Sequence, residues 1–251
     1  MKLFLISFMA LLLSFPGALS RKPLPEGSAG EYSYDVHYKL GVVNTKMATC
    51  TLNQRPATWE GQPAWSAVFR VRAAHVFRLF IRDEYRVNLH LSKQDLQPYH
   101  YEFPYKEKGK DYRLEFFYGT VPGKVESLLY SADGKEPVCK TFPAPDGMAM
   151  DLASMAFFLR SLDFGSFQGP LRMHVIMSAE YVPVVVNYKG VDASYWPGET
   201  AHHVVVNMPE RGLMENGDGN EIHVWISGRR EILGLSLPIG KGTVSARLKR
   251  Q

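Results

Sequence analysis

The sequence predicts a mainly β protein, a curved antiparallel sheet or barrel-like meander with one or two helices packed on it. Three observations carry this expectation. Short segments in which apolar and polar residues alternate strictly recur along most of the chain. Gly, Pro, Asn and Asp turn signals separate them at short intervals. The stretch 151–160 has the three-and-four-residue apolar spacing of a buried helix.

Residues 1–20 read as a cleavable signal peptide. Lys2 supplies the positive charge, residues 3–15 form an apolar run, and Pro16-Gly17 then breaks it. The run falls short of the ~20 residues a membrane span needs, and no other segment approaches that length. Cleavage after Ser20 leaves Arg21 as the new N-terminus. Residues 21–30, rich in Pro, Gly and small side chains, read as a flexible leader, and 31–251 as a single β-rich domain.

Within that domain Tyr32, Tyr34, Val36, Tyr38 and Leu40 alternate with polar residues, the mark of a half-buried strand. Strands follow at 46–52 and 65–71, and 75–84 is ambiguous between helix and strand. Then come short strand-and-turn units: 87–91, 99–105, 112–118 and 125–130, with turns at 92–95, 106–110 and 132–134. Asp151 is placed to cap a helix in which Leu152, Met155, Ala156 and Leu159 form one stripe, broadened by Phe157 and Phe158. Strands resume at 171–177, 181–188, 203–208, 222–226 and 244–248. In the 222–226 strand Trp225 is expected to be largely buried, both faces of a central strand being covered. The total is ten to twelve strands in one connected meander.

Composition narrows the function classes. Hydrophobic residues at 45% and charged residues at 22% are ordinary for a globular protein. The formal charge of +4 falls to +3 with the loss of Lys2, too small and too dispersed for a nucleic-acid binder. Cys50 and Cys139 are the two cysteines; in an oxidising compartment they can pair, or each can stay a buried thiol in its strand, and the sequence leaves both open. His37, His90, His100, His174, His202, His203 and His223 have no metal-ligand spacing, and the Asn- and Gly-rich loop 215–220 lacks the register of a calcium loop. There is no nucleophile elbow around Ser236, no base in sequence reach of Ser154, and no phosphate-binding glycine loop. No catalytic, cofactor or metal assignment follows.

The remaining candidates are for ligand binding. Tyr99, Tyr101, Phe103 and Tyr105 form an aromatic ladder on one face of a strand, able to wall a pocket for an apolar or sugar ligand or to serve as core. Phe157 and Phe158 on the helix, and Arg160 at its end, complete the set; Arg160 can bind the helix C-terminus or point a charge into a cavity. The helix is expected to sit on the concave face of the sheet and close one end of an apolar cavity.

Three segments together carry a family resemblance: YDVHYKLGVV at 34–43, DLASMAFFLR at 151–160 and GNEIHVWIS at 219–227. In that order the chain resembles a family of exported bacterial proteins, domain of unknown function 3108. The resemblance implies a periplasmic or outer-membrane-facing protein and no activity. The turn 228–233 is basic and lacks the proline that often follows the Trp-containing strand in that family. Three functions stay in play: a non-enzymatic envelope protein holding a lipid or other apolar or amphipathic molecule, an envelope interaction module, and a hydrolase with a site assembled from distant strands. The first is expected.

Overall fold

The computed structural model of the protein describes residues 21–75, 84–107, 109–144, 149–167, 169–177, 180–208 and 220–249. The expected signal peptide, most of the ambiguous 75–84 segment and residues 215–219 of the Asn- and Gly-rich loop lie outside the described residues.

Fifteen strands form one sheet. The first eight are β1 (Gly30–Leu40), β2 (Val43–Trp59), β3 (Gln62–Ala73), β4 (Tyr85–Ser92), β5 (Pro98–Glu107), β6 (Lys110–Tyr118), β7 (Lys124–Ser131) and β8 (Val138–Pro143). The short β9 (Ala149–Asp151) leads into the helix α1 (Leu152–Ser161). Then follow β10 (Leu171–Met177), β11 (Glu180–Val191), β12 (Ala201–Asn207), β13 (Glu221–Ser227), β14 (Ile232–Ile239) and β15 (Gly242–Leu248). Two meanders run away from β1 in opposite directions: one steps through β2 to β8, the other through β15 back to β9. Neighbours are antiparallel except β9 and β10, which are parallel. Turn chemistry fixes the register locally. Glu60 and Gly61 both take positive φ between the paired residues Trp59 and Gln62, the two-residue turn that matches strand twist.

The sheet is rolled into a nearly closed barrel. Its two edges, β8 and β9, are consecutive in the chain, and side chains join them. Val175 on β10 packs in the main core, while the next residue, Ile176, points the other way into a second cluster with Phe116, Val125 and Phe142. The inner face of β6–β8 therefore covers the outer face of β10. A strand buried on both sides has no need of polar alternation, and β10 reads Met173-His174-Val175-Ile176 accordingly.

The helix lies inside the roll. Met155, Phe157, Phe158 and Leu159 are buried against inward residues from both meanders, among them Leu52, Leu89, Val184 and Val204. Phe157 meets Phe69 edge-on at 6.0 Å between ring centroids. Burying two Phe side chains this way is worth about 1.5–3 kcal/mol each relative to exposure.

Several expectations need correction. Among the described residues there are fifteen strands rather than ten to twelve. The missed ones are β8, the three-residue β9, and β14, whose Gly234 and Pro238 interrupt the pattern. Of the two readings left open for Cys50 and Cys139, the structure has the unpaired one, both being free thiols. Cys50 faces the interior opposite Tyr34, whereas Cys139 is exposed on the outward face of β8 opposite Leu128. Opposite faces of a sheet cannot meet the short Cβ separation a disulfide needs. Trp225 is half-buried on the outer face, stacked on Tyr195 at 4.0 Å, with its indole N–H donated to Asp192 at 3.0 Å. A loop covers it, not the helix.

Candidate functional site

The inward face of β5 carries Tyr101, Phe103 and Tyr105, paired across the strands with Phe116, Leu114 and Tyr112 of β6. Tyr101 stacks on Phe116 at 5.2 Å, and Phe103 on Tyr105 at 5.5 Å. All three ladder residues are only partly buried. The reason is a cleft of ≈ 590 Å³ between this face and the edge of the sheet that carries β10 and the first turn of α1. Leu152 and Ala153 of that turn, with Ile176 and Met177 of β10, form the opposing wall. The cleft sits where the roll does not close.

Asp151 marks the floor. It is the N-cap of α1, and its Oδ1 accepts the Ser154 N–H at 2.8 Å. Its Oδ2 accepts the Ser154 hydroxyl at 2.5 Å and the Tyr118 hydroxyl at 2.9 Å. The Tyr118 oxygen in turn accepts the Asp151 backbone N–H at 3.0 Å. Burial raises the pKa of the Asp151 carboxyl above its usual value, opposed by these donors. Burial, then the charge of Asp151, pushes the Tyr118 phenol well above its usual range. The trio is a buried cap. Ser154 has an acid beside it, which its sequence neighbourhood did not reveal, but it is fully buried and its proton is already engaged. Among the described residues no histidine lines the cleft.

The other predicted residues lie elsewhere. A register shift opposite His90 and Leu91 leaves Tyr99 unpaired between Pro98 and His100, so the ladder breaks there. Tyr99 lines a separate cleft with Trp59, Pro98 and Phe117. Phe157 and Phe158 are fully enclosed behind the cleft and form core. Arg160 is buried at the far end of α1, where its Nε donates to the Arg230 carbonyl at 2.6 Å and its Nη1 to Gln54 at 2.8 Å. The helix C-terminus is bound instead by Arg230, whose Nη1 donates to the carbonyls of Arg160 and Ser161, each at 3.2 Å.

Histidines gather on the outer face. His90 and His100 stack on Trp59, and His203 donates to or accepts from His223 at 3.0 Å beside Trp225. Burial lowers the pKa of His90, His100 and His203. Among the described residues no three His, Cys, Asp or Glu converge as metal ligands, and no helix is long and apolar enough to cross a membrane.

Residues 33–249 match the model of the family described as a protein of unknown function, DUF3108. The chain belongs to this family. No curated protein matches it. Among solved structures the DUF3108 chain is similar to a β-barrel-like protein of domain of unknown function DUF1849 from Brucella abortus. That likeness has a TM-score of 0.55 at 11% identity and covers 93% of this chain and 98% of the other. It extends over the whole rolled sheet and concerns the fold alone.

Proposed function

We propose that this DUF3108 protein is an exported, non-enzymatic protein of the bacterial envelope that holds an apolar or amphipathic molecule, such as a lipid acyl chain, in the cleft beside the first turn of α1. The observation that carries this is the cleft itself. It leaves ≈ 590 Å³ open along Tyr101, Phe103, Leu114 and Leu152, within the usual size range of small-molecule sites. Covering that apolar wall favours an acyl chain by ~25 cal/mol per Å² before the costs of binding. Export is supported by the leader pattern of residues 1–20 and by Arg21, which bridges to Leu162 and lies 4.8 Å over the Phe158 ring. A chain starting at Arg21 keeps every one of these contacts.

Native mass spectrometry of protein purified from its own organism tests this, paired with titration of a fluorescent fatty acid. The expected results are a retained mass and saturable probe binding that Ala153→Trp, which fills the cleft, abolishes without unfolding the protein. No retained mass and no probe binding would sink the proposal. Recovery of intact residues 1–20 on protein from the envelope fraction would sink the cleavage at Ser20.

A further inference from the structure

A second concave surface lies on the outward face of β1–β4, on the other side of the wall from the core. We propose that it binds a phosphorylated saccharide. The groove measures ≈ 610 Å³, and four arginines line it, Arg55, Arg70, Arg72 and Arg86, against two carboxylates, Glu31 and Glu84. Glu84 is shared: Arg72 reaches it at 3.3 Å and Arg70 at 4.0 Å. Arg86 donates to the Asn88 side chain at 2.9 Å, and among the described residues no acidic side chain pairs with Arg55 or Arg86. Among the described residues, four cations around two anions leave the groove with a surplus of two positive charges.

The register makes the surplus costly. Arg70 of β3 and Arg86 of β4 are direct cross-strand partners and so project from the same face. Like charges directly opposite one another destabilise a sheet. An anion between them reverses the sign of that interaction. Guanidinium forks match phosphate oxygens two at a time. The groove between the arginines is lined by Thr49, Thr51, Asn53 and Ser66, neutral groups that both donate and accept. Such a lining suits sugar hydroxyls. Among the described residues Val68 is the one apolar side chain lining it, too little to stack a base or bury an alkyl chain. A concave site also suits a discrete molecule better than the plane of a bilayer. This inference is independent of the apolar cleft, which faces the interior.

Calorimetric titration of the full chain with glucose-1,6-bisphosphate, inorganic phosphate and glucose tests it. The bisphosphate is expected to bind saturably and at least tenfold more tightly than inorganic phosphate, with glucose inert and the affinity falling as salt rises. The double variant Arg70→Gln/Arg86→Gln should lose at least tenfold in affinity. Without ligand its Tm should rise by about 1–3 °C, the relief of one like-charge pair in a chain of this size. Arg55→Gln, an exposed side chain outside that pair, should weaken binding with Tm unchanged, and Arg172→Gln on β10 should change neither. Absent bisphosphate binding, equal affinity for bisphosphate and inorganic phosphate, or full affinity in both groove variants would each overturn the proposal.

Discussion

The two ends of α1 meet the same requirement in opposite ways. At the first turn a carboxylate accepts the free N–H and two hydroxyl protons, and space remains beside it. At the last turn two arginines exchange places: Arg230 reaches into the helix carbonyls while Arg160 reaches out to the Arg230 carbonyl. There Lys22 also donates its backbone N–H to the Ser161 carbonyl at 2.8 Å. The difference lies in what each charge can do. A buried carboxyl can take up a proton and become neutral, so burial is tolerable beside open volume. A guanidinium cannot, and must be enclosed by acceptors and ring faces. Arg160 lies 5.1 Å over Phe157 and 5.9 Å over Tyr32 accordingly. The apolar cleft borders the end whose charge can vanish.

Substitutions can break or sharpen this contrast. The largest effect is expected between the two ends, where Phe157→Ala should cost about 3–5 kcal/mol in urea unfolding, because its ring is wholly enclosed. At the packed end Arg160→Ala should cost about 3 kcal/mol, stranding the Gln54 oxygen and the Arg230 carbonyl. Arg160→Met strands the same two acceptors but should cost less, since an apolar chain of similar length restores the packing and removes a buried charge. Equal losses in the two variants would mean that the charge, not the volume, holds that end. At the open end Asp151→Ala should cost about 2 kcal/mol through the lost cap and the stranded Tyr118 hydroxyl. Asp151→Asn, which keeps an acceptor, should stay within about 1 kcal/mol of wild type.

The smallest effect is a pH signature. The pKa of Asp151 is raised in the folded protein, so the native state holds this proton more tightly than the unfolded chain does. Its contribution to stability is full below the unfolded value, near 3.9, and is lost as pH rises through the folded value. The stability of wild type relative to Asp151→Asn should therefore decline as pH increases above 4 and then level off. A difference that grows with pH would show that the hydrogen bonds outweigh burial.

Much of the sheet was legible because its strands are half-buried and alternate. The pattern at Tyr32, Tyr34 and Val36, and at Tyr101, Phe103 and Tyr105, names the inward face directly. The helix and its Asp151 cap were legible from spacing alone. What escaped depends on contacts between distant segments. β10 is covered on both sides because the sheet overlaps itself, and nothing local announces that. The bond from Tyr118 to Asp151 joins residues 33 apart, and that from Arg230 to Arg160 joins residues 70 apart. Arg230, with φ of 67° in the turn after β13, belongs to a stretch that read as a surface turn. Tyr99 was misplaced by one bulge, enough to turn its neighbours to the opposite face.

One connection has a kinetic meaning. Every strand in each meander pairs with a strand close to it in the chain, except where β1 meets β15 and residue 34 lies opposite residue 248. The near pairings close small loops and form fast, whereas this one must close the long stretch between residues 34 and 248. The two meanders can organise independently, but until the final strand arrives β1 and β14 each present an unsatisfied edge. For a chain that emerges N-terminus first, β15 follows all of the strands it joins and zips the halves together, and a truncation before residue 242 leaves two adhesive edges in place of one continuous sheet.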